Sequence, residues 1–163
     1  MNRQQILLAL ALKEAGIPVR VGKFDERLFL QKGVYLLQEA GVHLGYRYRW
    51  YLRGPYSTDL ASDVFFLTGQ EQSVAQELVS WQLDSESSGR IGRVKELFCG
   101  KELGKVAKRL EMLASVLYLI RTRQASADVP AVISEMLKAN NKPFEEAEVV
   151  EALGQLGQYG FSC

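Results

Sequence analysis

The fold of this chain is decided by a twelve-residue stretch, Tyr46-Arg47-Tyr48-Arg49-Trp50-Tyr51-Leu52-Arg53-Gly54-Pro55-Tyr56-Ser57. Over residues 46–53, large apolar side chains alternate with mainly basic ones, and a period of two is typical of a β-strand. One face, which we expect to pack on the core, consists of Tyr46, Tyr48, Trp50 and Leu52. The other face, which we expect to meet solvent or a partner, consists of Arg47, Arg49, Tyr51 and Arg53.

The residues after this strand predict a turn followed by a helix. Pro55 lacks the amide hydrogen that a β-ladder needs, so residues 54–56 are expected to turn. Ser57 fits the N-cap of a helix, and Asp59 in its first turn complements the helix dipole. The apolar positions of that helix, before Gly69 ends it, are Leu60, Ala61, Val64, Phe65 and Leu67.

Further helices are predicted on both sides of the strand, because apolar residues recur there at helical spacing. The clearest has a buried seam with alternating spacings of three and four residues: Leu103, Val106, Leu110, Leu113, Leu117 and Ile120. The other predicted helices cover residues 2–15, 26–40, 70–83, 130–138 and 144–156. The predicted fold class is therefore mainly α with a small antiparallel β element (α+β). In this class a winged-helix-like N-terminal half, helix–strand–turn–helix, packs on C-terminal helices.

A polar stretch rich in serine separates two parts of the chain. Residues 84–89 read DSESSG, which is typical of a flexible connection. We therefore predict a helix–β–helix core over residues 1–83 and a flexible loop over residues 84–92. A C-terminal helical part over residues 93–163 is expected to pack on that core. With 163 residues, the chain has the length of one globular unit.

The composition excludes several classes of protein. Hydrophobic residues make up 47% and charged residues 24% of the chain, which excludes a disordered or fibrous protein. The net charge of +1 gives no overall field that would attract nucleic acid or a membrane. The apolar run at residues 6–12 is too short to span a bilayer and lacks a cleavage site. We therefore expect a cytoplasmic protein that does not bind membranes.

Residues suited to catalysis or metal binding are scarce. The two cysteines, Cys99 and Cys163, cannot make a disulfide framework or a four-ligand zinc site. Cys99 follows apolar neighbours and is expected to be a packed thiol, and the only histidine, His43, is expected at the surface. No glycine-rich loop follows a strand in the way that a phosphate-binding loop does. We therefore predict no catalytic residue, no cofactor, no metal and no enzymatic activity.

Two basic features remain as candidate binding surfaces. The first is the exposed strand face with Arg47, Arg49, Tyr51 and Arg53. The second lies within residues 90–109, where seven basic and two acidic side chains give a local charge of +5. Its candidate contact residues are Lys101, Lys105, Lys108 and Arg109. Such patches bind phosphates, dock acidic proteins or are solvated helix faces, and these three interpretations stay open.

Five segments occur in an order that is characteristic of one protein family. They are LQKGVYLLQ at residues 30–38, the aromatic strand at 48–51, GPYS at 54–57, LEMLASVLYL at 110–119 and the helix after residues 142–144. This arrangement resembles the Panacea domain family, which includes SocA-like antitoxins and related YwgA-type prokaryotic proteins. Gly33 departs from the bulkier residue that the family pattern has after Gln-Lys.

The resemblance implies a mostly helical fold and a non-enzymatic role, either neutralising a toxin by direct binding or acting as an adaptor or regulator. We therefore expect an antitoxin- or adaptor-like module that binds a partner protein through the exposed strand face. The alternative is a winged-helix regulator that binds DNA or RNA, because a basic strand beside a helix also suits that fold. Self-association into a homodimer through the seam over residues 103–120 is a third hypothesis.

Overall fold

The computed structural model describes all residues, 1–163, and contains eight α-helices, one 3₁₀ turn and one β-hairpin. The elements are α1 (Arg3–Ala15), α2 (Phe24–Glu39), β1 (Arg49–Tyr51), β2 (Gly54–Tyr56), α3 (Thr58–Thr68), α4 (Glu71–Leu78), α5 (Ser85–Val94), the 3₁₀ turn (Lys95–Phe98), α6 (Leu103–Arg121), α7 (Pro130–Ala139) and α8 (Glu146–Gln158). The predicted class, mainly α with a small antiparallel sheet, is confirmed.

The core is built around α2 and α6, which pack against each other more extensively than any other pair of elements. Ten consecutive residues of α2, 28–37, are buried, so this helix is surrounded on all sides. The predicted seam of α6 is confirmed: its four middle residues are buried, and Leu103 and Ile120 at its ends are partly buried. One apolar cluster runs from Ile6 to Phe161 and joins both halves of the chain.

Residues 84–92 are not the flexible loop that their composition predicts, because they form most of α5. Asp84 caps this helix: its carboxylate accepts hydrogen bonds from the amide of Ser87 at 2.8 Å and from the hydroxyl of Ser87 at 2.7 Å. Ile91 and Val94 are fully buried. The serine-rich composition was misleading because a good N-cap and two buried apolar residues outweigh weak helix propensity.

The β-hairpin also differs from the predicted strand and turn. The strand β1 covers only Arg49–Tyr51, and residues 54–56 form β2 instead of a turn. The pairs are Arg49 with Tyr56, Trp50 with Pro55, and Tyr51 with Gly54, so the turn lies at residues 52–53. Hydrogen-bonded and non-hydrogen-bonded pairs alternate along an antiparallel ladder, and Pro55 falls on a pair that does not use its amide.

The two predicted faces of the strand are found with one exception. Tyr46 is buried and Tyr48 and Trp50 pack against the core, whereas the predicted outer residues are all exposed. The exception is Leu52, which is 75% exposed because it lies in the turn and not on the strand. Helix α4 also ends earlier than predicted, at Leu78.

Candidate functional site

The inner side of the hairpin is attached to α2 by two buried polar side chains. The amide of Gln31 accepts a hydrogen bond from the backbone N–H of Ser57 at 2.9 Å and donates one to its carbonyl at 2.8 Å. The ammonium of Lys32 donates to the carbonyl of Pro55 at 2.5 Å. Ser57 also caps α3, as predicted, by accepting from the amide of Leu60 at 3.3 Å. Side chains of α2 therefore form hydrogen bonds with the backbone groups of Pro55 and Ser57, in the place where a third strand would otherwise pair.

The turn of the hairpin is tied to α6 by a buried ion pair. Lys142, between α7 and α8, donates to the Glu111 carboxylate at 2.6 Å and to the carbonyl of Leu52 at 3.3 Å. Glu111 is also 3.9 Å from the guanidinium of Arg53. Burial lowers the pKa of Lys142 from its ordinary value, and the hydrogen bond and charge of Glu111 oppose that change.

Gly54 allows the hairpin to lie directly on α6. Its φ of 86° is in the left-handed region, and a Cβ at this position would be 2.3 Å from the hydroxyl oxygen of Ser115. A residue with a side chain would be strained there and would collide with α6. Three residues of the segment GPYS are therefore structural: Gly54 contacts α6, Pro55 accepts from Lys32 and Ser57 caps α3.

The outer side of the hairpin forms one wall of a groove whose other walls are α2 and α3. The groove has a volume of about 940 Å³ and 16 lining residues, of which 11 are hydrophobic. The hydrophobic ones are Val21, Phe24, Leu28, Leu30, Tyr51, Leu52, Tyr56, Leu60, Ala61, Val64 and Phe65. The polar ones are Arg27, Gln31, Lys32, Arg53 and Ser62. Binding sites in proteins share this mainly apolar lining with a few polar groups.

Four large apolar side chains of the groove are unusually open to solvent. Phe24 is 51%, Tyr51 59%, Phe65 73% and Leu52 75% exposed. The rings of Tyr51 and Tyr56 lie 5.5 Å apart, so the exposed side chains continue into the partly buried lining. A contiguous apolar surface of this kind on a single chain is typical of an interaction site.

The groove is positively charged. Its lining contains three basic side chains, Arg27, Lys32 and Arg53, and no carboxylate. The guanidinium of Arg53 is 5.4 Å from the centre of the Phe24 ring, and that of Arg27 donates to the carbonyl of Val21 at 2.7 Å. The surface therefore suits a ligand that combines apolar groups with negative charge.

Lys32 has an unusual position for a lysine. It is only 1% exposed and forms no ion pair, and the nearby carboxylate of Glu111 is paired with Lys142. Its pKa is lowered to about 7, mainly by burial and also by the charge of Lys142, whereas the charge of Glu111 opposes both effects. Close to neutral pH, Lys32 therefore exchanges between its charged and neutral forms.

The structure brings only some of the predicted site residues together. Tyr51 and Arg53 line the groove, whereas Arg47 and Arg49 are exposed outside its lining and form no ion pair. The predicted residues of α6 and the segment before it lie elsewhere and are not part of the groove. Among them Lys101, Lys105 and Lys108 are exposed. Arg109 instead donates to the carbonyls of Leu97 at 2.6 Å and Cys99 at 3.3 Å.

Of the 16 lining residues, only Tyr51 and Arg53 were predicted as site residues. Leu52 was expected on the core face of the strand, Phe65 was one of the apolar positions of α3, and Phe24 and Lys32 were given no binding role. Phe65 could have been found, because it lies about 100° around the helix from Val64 and off the buried stripe of α3. The exposure of Leu52 depends on the hairpin register, which the strand pattern alone does not give.

The remaining candidate groups lie apart from the groove. His43 is exposed, as predicted, but Cys99 is exposed as well, so the prediction of a packed thiol was wrong. Leu97 and Phe98 are buried within the 3₁₀ turn, and the chain leaves the core directly after them. No cluster of three or more potential ligands from His, Cys, Asp and Glu is present. None of the helices combines the length and apolarity that crossing a membrane requires.

Comparisons with known proteins identify no relative of this chain. No family model matches it, and no curated protein and no solved structure matches it either. The resemblance to the Panacea domain family therefore stays a prediction, and the groove has to be interpreted from its own residues.

Proposed function

We propose that this protein is a non-enzymatic interaction module, antitoxin- or adaptor-like, that binds and regulates a partner protein through the groove between the hairpin, α2 and α3. One observation carries the proposal: four large apolar side chains are exposed around a cavity that contains three basic side chains and no carboxylate. The resemblance to SocA-like antitoxins points in the same direction. Such a module would work in the cytoplasm of a prokaryotic cell.

The occupant that fits this groove is an amphipathic segment of the partner that carries both apolar and acidic side chains. Burying one side chain of the size of Leu or Phe contributes about 1.5–3 kcal/mol, so two or three anchors support a stable complex. Arg and Tyr are enriched among residues that dominate binding energies, and Arg53 and Tyr51 both line the groove. Recognition of an amphipathic segment in an apolar groove is a common mode of peptide binding.

The experiment compares groove variants with a matched surface variant. Tagged wild-type protein, Leu52→Asp/Phe65→Asp and Val79→Asp are used to isolate partners from the native host. Val79 is 85% exposed, apolar and outside the groove, so it controls for an acidic substitution at an exposed apolar position. We expect one stoichiometric protein with the wild type and with Val79→Asp, and its loss with the double variant. Equal recovery with all three proteins would contradict the proposal.

A second candidate function is the binding of DNA or RNA in the manner of a winged-helix regulator. It is favoured by Arg47, which precedes β1, and Arg49 in β1, because both side chains are exposed and neither forms an ion pair. This function predicts affinity that falls steeply with salt and depends on Arg47→Gln/Arg49→Gln. The groove proposal predicts that this double variant binds the partner protein like the wild type.

A further inference from the structure

The charges beneath the hairpin do not balance. Three cations, Lys32, Lys142 and Arg53, surround one carboxylate, that of Glu111. The ammonium of Lys142 is 2.6 Å from that carboxylate and the guanidinium of Arg53 is 3.9 Å from it. Lys32 forms no ion pair with it. A buried cation without a counter-ion is unfavourable, and a further anion nearby would reduce that cost.

The groups that face Lys32 come from several elements. Lys142 approaches from the segment before α8, Glu111 from α6, and the carbonyl of Pro55 from the hairpin. Arg53, in the hairpin turn, lines the same groove as Lys32. Helix α3 contributes no ionisable side chain to the lining, and from α2 only Arg27 is added. Every charge on the groove side is therefore positive, so a missing anion would have to come from a bound ligand.

We propose that Arg53 and Lys32 form an anion subsite at the hairpin end of the groove, where the docked segment of the partner places a carboxylate. This inference rests on the proposed function and specifies the chemistry of its ligand. Arg53 is exposed and would contact the carboxylate directly. Lys32 lies under the hairpin and acts through its charge, because water is displaced when the groove fills.

A bound anion favours the charged form of Lys32, so binding is accompanied by the uptake of a proton. The pKa of Lys32 in the empty groove is about 7. Affinity for an anion is therefore highest below neutral pH and falls as the pH rises. If the anion raises this pKa by about one unit, linkage gives a loss of about eightfold in affinity between about pH 6 and about pH 9.

The test uses two fluorescent dyes of similar shape, anionic 1-anilinonaphthalene-8-sulfonate and neutral N-phenyl-1-naphthylamine. Their dissociation constants are measured for the wild type and for Arg53→Gln, Lys32→Met, Phe65→Asp and the control Arg20→Gln. Arg20 is exposed and outside the lining. Near-ultraviolet circular dichroism confirms that each variant is folded before its dye binding is compared.

We expect the wild type and Arg20→Gln to bind the anionic dye several-fold more tightly than the neutral one, with an affinity that falls as pH rises. Arg53→Gln should reduce this preference at every pH, and Lys32→Met should remove its pH dependence. Equal affinities for the two dyes, with both lost in Phe65→Asp, would overturn the anion subsite and leave the groove intact. If neither dye binds, or if both dyes bind Phe65→Asp as tightly as the wild type, the groove is not a binding site. If Lys32→Met does not fold, the preference of Arg53→Gln for the anionic dye over the neutral dye still tests the anion subsite.

Discussion

The two sides of the hairpin are built in opposite ways. On the inner side, polar and charged groups are buried: Gln31, Lys32, Glu111 and Lys142. On the outer side, apolar groups are exposed: Phe24, Tyr51, Leu52 and Phe65. This is the reverse of the usual distribution, in which a buried charge or an exposed apolar patch requires an explanation.

The contrast separates the groups that hold the hairpin in place from the groups that offer apolar contacts. Every inner polar group holds the hairpin in place, because each binds a hairpin carbonyl, the Ser57 amide or another member of the cluster. The outer apolar groups are largely exposed and make contacts within the groove lining, such as Phe24 with Arg53 and Tyr51 with Tyr56. The inner side therefore fixes the shape of the groove, and the outer side supplies its apolar contacts. Gln31 and Lys32 of the inner side also line the groove. Substitutions on the two sides should have different consequences.

The largest effect is expected for Glu111→Leu. It leaves Lys142 buried without a counter-ion, and breaking a buried pair in this way destabilises a protein by about 3–5 kcal/mol. Chemical denaturation measures the free energy of unfolding. The double variant Glu111→Leu/Lys142→Met removes both charges and should recover most of the loss. A double variant as unstable as Glu111→Leu would show that the loss does not come from the unpaired charge of Lys142.

The next largest effect is expected for Gly54→Ala. The new Cβ collides with Ser115 and imposes a left-handed conformation on alanine, at a cost of about 2–3 kcal/mol. Replacing Ser115 with alanine in addition removes the hydroxyl that lies closest to Gly54. The pair Gly54→Ala/Ser115→Ala should therefore be more stable than Gly54→Ala alone. Thermal unfolding that shows no difference between them would contradict the close contact.

The inner side should also make stability depend on pH. Burial lowers the pKa of Lys32 from 10.5 to about 7, so above neutral pH the unfolded chain binds more protons than the folded one. The free energy of unfolding should then rise by about 2 kcal/mol between about pH 7 and about pH 9. In Lys32→Met this rise should be much smaller. An equal rise of the unfolding free energy in the wild type and in Lys32→Met would show that ionisable groups other than Lys32 cause it.

The smallest effect on stability is expected on the outer side. Phe65→Asp and Leu52→Asp should each change the free energy of unfolding by no more than about 0.5 kcal/mol, because both side chains are exposed. The same variants should abolish binding of the partner. A large loss of stability in either variant would mean that the residue belongs to the core, and the contrast between the two sides would fail.

Local features of this chain could be predicted from the sequence, whereas features that depend on distant contacts could not. The seam of α6 and the Ser57 cap depend on residues within a few positions of each other, and both were predicted. The strand β2 was not predicted, because Pro55 is acceptable only in the register that pairs it with Trp50. Helix α5 was missed because its burial depends on packing against α1.

In the candidate site, too, local features could be predicted and features that depend on distant contacts could not. Alternation along the strand correctly predicted that Tyr51 and Arg53 are exposed. It did not show that α2 and α3 complete a groove around them, because these helices come together with the hairpin only in three dimensions. Lys32 looks like an ordinary helix residue in the sequence. Its burial results from the position of α2 at the centre of the fold.

The most direct test of the groove is site-specific crosslinking in the native host. Three separate proteins each carry one photoreactive phenylalanine analogue. It replaces Phe65 in the groove, Arg49 in β1 outside the groove lining, or Val79 outside both the groove and the hairpin. We predict that position 65 crosslinks to one protein, through a segment rich in apolar and acidic residues, and that positions 49 and 79 do not. Crosslinks that form equally from all three positions, or from position 49 to nucleic acid alone, would contradict the account.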